Sequence, residues 1–177
     1  MDDAGSIWVA YFDEGVFGNL GWTQPVGAAG LARFSRHSDR LWTYTPPPGA
    51  AEIADCYALN VAARTTWIYY YTDFPLVQIT NGRTRAYAPT PVRGARAVVV
   101  HDHDVVFIGD YDDPLRLSSC HRTRDTVEYR GLATIIGPDD APLTLFHLVA
   151  ARGSRLYLRT TTHIMLVDIA DEPNQTR

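Results

Sequence analysis

Carboxylates are the residues of this 177-residue chain best placed to do chemistry. Asp13-Glu14, Asp55, Asp73, Asp112-Asp113 and Asp139-Asp140 recur in the connections between apolar runs. Hard cations such as Ca²⁺ take several carboxylate oxygens, so Asp13, Asp73 and Asp112 converging with Asp55 would make a divalent-cation site. The competing reading is turn chemistry, because Asp close before Pro, as at Asp73 and Asp112-Asp113, is a common corner signal. His101-Asp102-His103-Asp104 looks like a metal cluster. It separates Val98-Val99-Val100 from Val105-Val106-Phe107, however, and so reads as a turn. His147, within Leu145-Phe146-His147-Leu148, reads as a core or channel histidine. Cys56 and Cys120 match no metal-ligand spacing and read as two lone thiols of a cytoplasmic protein. No nucleophile elbow, phosphate-binding Gly loop or His-Glu-x-x-His motif is present.

Composition removes other classes. All 16 basic residues are Arg, which with abundant Ala and Asp reads as the codon bias of a GC-rich genome rather than as phosphate recognition. The net charge of −4 and the lack of a dense Arg cluster argue against nucleic-acid binding. No run of apolar residues is long enough for a membrane span, and Met1 to Ser6 is too acidic for a signal peptide.

The elements that must position the acids are strands. Short runs rich in Val, Ile, Tyr, Trp and Thr alternate with Gly, Pro, Asn and Asp, as in Trp67-Ile68-Tyr69-Tyr70-Tyr71. No long segment carries helical periodicity. The runs also repeat. Asp73-Phe74-Pro75-Leu76 is echoed by Asp112-Asp113-Pro114-Leu115, an offset of 39 residues. Val61-Ala62-Ala63-Arg64 is echoed by Val149-Ala150-Ala151-Arg152, Tyr44-Thr45-Pro46 by Tyr87-Ala88-Pro89, and Gly5-Ser6 by Gly153-Ser154. These echoes define a unit of four strands, A to D. In the second unit A spans 57–62, B 67–72, C 76–80 and D 84–88, with Asn81-Gly82 as the hairpin turn. In the third unit A spans 95–100, B 105–109, C 115–120 and D 126–130. Four short antiparallel strands per unit of about 40 residues is the pattern of a β-propeller blade.

On these residues the chain resembles the β-propeller superfamily, nearest to the NHL-repeat and gluconolactonase-like propellers. The expected fold is all-β: a single domain over 1–177, a partial β-propeller of about four blades at 5–46, 55–90, 94–131 and 142–171. Strand A of the first blade and strand D of the fourth have no good residues, giving three, four, four and three strands. A truncated relative of a longer propeller would expose apolar faces and edges, so self-association is expected, with solitary closure as a distorted four-bladed ring the alternative. The resemblance also implies a metal near Asp55 and Asn60, as in the metal-dependent lactonases of that group.

Propeller connectivity sends the B–C and D–A loops to one face and the A–B and C–D turns to the other. The acids then gather on the first face, while Arg36, Arg40, Arg64, Arg83, Arg122, Arg124 and Arg152 fall on the second. The acidic face also receives the one long insertion, 15–27, which carries Phe17, Leu20 and Trp22. It reads either as a lid over a binding site or as a cover for a blade edge. Candidate ligand-binding residues are therefore Asp13, Glu14, Trp22, Asp55, Asn60 and Asp73, in a module that binds an unidentified protein or small molecule.

Overall fold

The computed structural model describes residues 1–18 and 21–171. Leu20 of the insertion and the polar tail expected to lack a fourth-unit strand D, 172–177, lie outside the described residues. The chain is all-β, with fourteen strands among the described residues, in four antiparallel sheets of three, four, four and three. The first sheet is β1 (Ile7–Ala10), β2 (Leu31–Phe34) and β3 (Arg40–Thr43). The second is β4 (Asp55–Ala62), β5 (Thr65–Tyr71), β6 (Pro75–Thr80) and β7 (Arg83–Pro89). The third is β8 (Ala97–His101), β9 (Asp104–Ile108), β10 (Leu117–Arg122) and β11 (Val127–Leu132). The fourth is β12 (His147–Arg152), β13 (Arg155–Arg159) and β14 (Ile164–Asp168). Within each sheet the strands follow chain order, joined by hairpins and short corners except for the long connection between the first and second strands of the first sheet. The one helix among the described residues is α1 (Asp13–Phe17), a single turn at the start of the insertion that the sequence reading took for loop.

Three apolar layers join the sheets in series. Leu31, Ile68, Tyr70, Val77 and Ile79 fill the space between the first and second sheets. Trp67, Tyr69, Phe74, Val98 and Phe107 fill the next, and Val99, Ile108, Leu117, Leu156 and Leu158 the last. This explains why β5 is apolar throughout rather than alternating: Trp67 and Tyr69 face the third sheet, Ile68 and Tyr70 the first, and all four are buried. No fourth cluster joins the last sheet to the first among the described residues. On the far side of the fourth sheet Val149, Leu166 and Ile164 stand exposed, Ile164 at 79%. His147 corrects the expectation of a core histidine. It opens β12 on the exposed side, because its neighbours Phe146 and Leu148 are the ones that turn into the apolar layer.

The four units share a backbone signature. Gly5, Ala63, Asp102 and Gly153 have φ of 76°, 48°, 47° and 61°. Each lies two residues before the second strand of its unit, at Ile7, Thr65, Asp104 and Arg155. The turn thus demands a left-handed residue, which glycine supplies without strain and alanine does not. Ala63 is exposed and has nothing to lose by truncation. Ala63→Gly should stabilise the chain by about 1 kcal/mol, or roughly 2–4 °C in Tm, and Gly153→Ala should cost at least as much; thermal unfolding of the two variants checks both.

Candidate functional site

The acids meet at one end of the first two sheets. Asp55 is the first residue of β4, and the next amide, of Cys56, donates to the Tyr11 carbonyl at 3.0 Å. That bond seats the start of the insertion against β4. Tyr11 is itself held between Gly15 and Gly27, where a methyl at Gly27 would overlap its ring, so the two ends of the insertion close on one side chain. Asp13 and Glu14 then occupy the first turn of α1 near Asp55. Burial raises the Asp55 carboxyl above the ordinary range, and the charges of Asp13 and Glu14 raise it further. Asp55 forms no ion pair among the described residues.

A cleft of about 370 Å³ opens beside Asp55, lined also by Cys56, Tyr57, Arg96, Asp110 and Tyr111. Its aromatic wall is built from two sheets. The hydroxyls of Tyr57 and Tyr111 are 3.3 Å apart, and their rings meet edge-to-face with centroids at 6.3 Å. Phe74, buried, packs at 5.6 Å from Tyr57 and 6.1 Å from Tyr111, and the Arg93 guanidinium lies 5.4 Å over its ring. The shared hydrogen bond with Tyr111 and, after it, burial push the Tyr57 phenol up to about 12, so it stays protonated at neutral pH. Asp110 is occupied. Its carboxylate accepts from the Asp112 amide at 2.9 Å and the Asp113 amide, and pairs with Arg116 at 2.7 Å. Burial pushes the Cys56 thiol up to about 12 as well, which disfavours its thiolate at neutral pH; Cys56 and Cys120 are both free.

The sequence candidates divide. Asp13, Glu14 and Asp55 come together. Asp73 sits in the β5–β6 turn with φ of 67° and does not line the cleft, while Asp113 caps its own corner by accepting from the Leu115 amide at 2.9 Å. For these two the turn reading fits. Trp22 is 53% exposed and Phe17 also faces solvent, so neither covers a sheet edge. Asn60 is the plainest departure. It is 0% exposed, and its carboxamide is fully used: Nδ2 donates at 2.8 Å to the carbonyls of Val98 and of Gly153, and Oδ1 accepts from the Gly153 amide at 2.6 Å. It lies five residues along β4 from Asp55, a rise of about 16 Å. Asp55 and Asn60 therefore do not fit a common metal ion. Among the described residues no three His, Cys, Asp or Glu side chains are grouped to hold one. His101-Asp102-His103-Asp104 forms the β8–β9 hairpin end, with the His103 ring 5.4 Å from that of His121. Sequence reasoning missed Tyr57, Arg96, Asp110 and Tyr111. The one available signal was Tyr111, an aromatic residue set among acids in a corner that needs none.

The class defined by fold and site is an all-β protein of four antiparallel sheets in series, with an acidic, tyrosine-walled cleft at the sheet ends. The YxzG family model matches residues 29–166, more than three quarters of the chain, and the protein belongs to that family. No curated protein and no solved structure matches it. No helix among the described residues is long and apolar enough to cross a membrane.

Two outcomes test this geometry. Asn60→Ala strands the Val98 carbonyl and the Gly153 amide, while the Gly153 carbonyl keeps the Val100 amide, and should cost about 2–3 kcal/mol, read by urea unfolding. Asp55 carries a raised carboxyl in the folded chain, so its effect on stability is most favourable below the unfolded value and is lost as pH rises through the folded one. Asp55→Asn should accordingly raise Tm at pH 7 and leave it unchanged at pH 3.

Proposed function

We propose that this chain is an open, β-propeller-type binding module whose cleft at Asp55 takes a cationic group, an ammonium or guanidinium carried by a small molecule or a basic peptide. The observation that carries the reading is the Asp55 carboxylate itself, unpaired, backed by Asp13 and Glu14 and walled by Tyr57 and Tyr111. A cation there would meet a carboxylate in a partly desolvated site and aromatic faces at the same time, two attractions that reinforce each other. Arg96 lines the same cleft yet pairs with no acid among the described residues, so it does not quench Asp55.

The propeller reading is supported by the serial order of the sheets and by the first strands β4, β8 and β12, which lie against one another as strands around an axis would. The exposed Val149, Ile164 and Leu166 support self-association through an outer face. The two free thiols suit a reducing, cytoplasmic setting. A lactonase-like hydrolase finds less support, since Asn60 is spent on backbone and no acid but Asp55 lines the cleft free of a partner.

Calorimetric titration of the full chain with a capped arginine peptide at low salt tests the proposal. Asp55→Asn should weaken binding about tenfold, and Tyr111→Ala about two- to fivefold. Equal affinity of the parent and Asp55→Asn proteins would remove Asp55 from the site, and with it the reading.

A further inference from the structure

The opposite end of the first two sheets holds a second cavity, of about 380 Å³, lined by Trp8, Arg33, Arg64, Thr66 and Asn81 together with the N-terminal residues Asp2 and Asp3. It lies where the apolar layer between these sheets stops. Arg33 follows Leu31 on the inward face of β2, and Thr66 precedes Ile68 on the facing side of β5. Below them the layer is filled by large side chains, and at this end it is left open to arginines.

The charges in the cavity are unevenly satisfied. Arg33 lies with its guanidinium carbon 5.6 Å from the centre of the Trp8 ring, and its Nε–H is buried with no acceptor. An unmet guanidinium donor is costly, since it has given up water and received nothing. Arg64 makes one long hydrogen bond, from Nη2 to Asn81 Oδ1 at 3.5 Å. Neither arginine is in an ion pair among the described residues. Thr66 is 2% exposed, lines the cavity, and its hydroxyl has no hydrogen-bond partner among the described residues.

The acids at the rim do not answer this demand. Asp2 is consumed locally. Its Oδ2 accepts from Trp8 Nε1 at 2.9 Å, and its Oδ1 from the Ser6 and Ala4 amides at 2.9 and 3.0 Å. Burial works to raise its carboxyl, but these bonds and the nearby Arg33 charge together hold it below the ordinary value. Asp3 is exposed at the mouth and pairs with neither arginine.

We infer that this cavity is an oxyanion site: Arg33 and Arg64 receive the carboxylate or phosphate group of a small molecule, Thr66 adds a hydroxyl donor, and the Trp8 ring flanks the site. A guanidinium offers a planar fork of N–H donors that matches such oxygens in pairs, and two such forks, neither in an ion pair among the described residues, line this one cavity. The cavity is of the size that holds a small metabolite. It uses a different end of the molecule and different residues from the Asp55 cleft, so either site can fail without the other.

The test follows tryptophan emission and Tm of the full chain during titration with sodium phosphate and, separately, sodium acetate, at constant ionic strength held by chloride. A saturable change with phosphate alone assigns a phosphate ester, and one with acetate alone a carboxylate. In either case Arg33→Gln and Arg64→Ala should each weaken the response about tenfold. Arg64 is exposed and its removal leaves the packing intact, so Arg64→Ala decides the matter if Arg33→Gln fails to fold. No saturable response to either anion beyond the chloride control overturns the site. So does a response that persists undiminished in Arg64→Ala.

Discussion

The Asn60 carboxamide is the constraint on which the arrangement of the sheets depends. From β4 it reaches the backbone of two other sheets, bonding the Val98 carbonyl of β8 and both the carbonyl and amide of Gly153 between β12 and β13. The Val100 amide donates to the same Gly153 carbonyl at 3.0 Å, and a Cβ added at Gly153 would stand 3.2 Å from the Ala62 Cβ. Apolar layers between sheets are non-directional and would tolerate a slide or a change of splay. A buried, fully satisfied polar group does not, because any displacement strands donors and acceptors away from water. The layers supply the bulk of the stabilisation, and Asn60 fixes where the second, third and fourth sheets stand relative to one another. Its residue type is the requirement: only a carboxamide offers two donors and an acceptor at this reach.

The strands were legible in the sequence because their signal is local. The β-branched and aromatic runs placed every strand of the second and third units to within two residues, and the Asn81-Gly82 hairpin fell where expected, with φ of 53° and 70°. The likeness of the four turns was legible only in part, because they share a conformation rather than a residue. Gly5, Ala63, Asp102 and Gly153 share a left-handed φ but not a side chain, so their identities hide the period that their backbones keep. The structure also explains the weakness of the alternation signal. Sheets packed on both faces need apolar residues at both parities, and β5 and β8 therefore read as continuous runs.

The site was less legible, for reasons that are equally physical. Asp13, Glu14 and Asp55 could be placed on one face from connectivity alone, but their proximity rests on Tyr11 clasped by Gly15 and Gly27, a contact between residues of no evident chemistry. Tyr57 comes from β4 and Tyr111, 54 residues later, from the β9–β10 corner, and only the packing of Phe74 beneath them makes a wall of the pair. Asn60 misled for the opposite reason. A polar residue in an apolar strand looks like a ligand in sequence, while in the fold it is a tie between backbones.

Both cavities share one structural origin. The second sheet contributes a wall to each, Asp55 and Tyr57 at one end and Arg64 and Thr66 at the other, and it is the sheet that Asn60 anchors. Twisted sheets that pack tightly at their centres diverge toward their ends, and the gap has to be filled or left open. Here the centres are filled by Ile68, Tyr69, Tyr70 and Phe107, all essentially inaccessible, and the ends are lined by charged and aromatic side chains. Asp55 and Asp110 with Arg96 then line one end, and Arg33 and Arg64 with Asp2 and Asp3 line the other. Opposite charge at the two ends of one rigid sheet costs little, since about two dozen ångströms of strand separates them, well beyond the screening length in physiological salt. A fold of this kind can therefore present the unpaired Asp55 carboxylate and the unpaired arginines at opposite ends of the same wall without either neutralising the other.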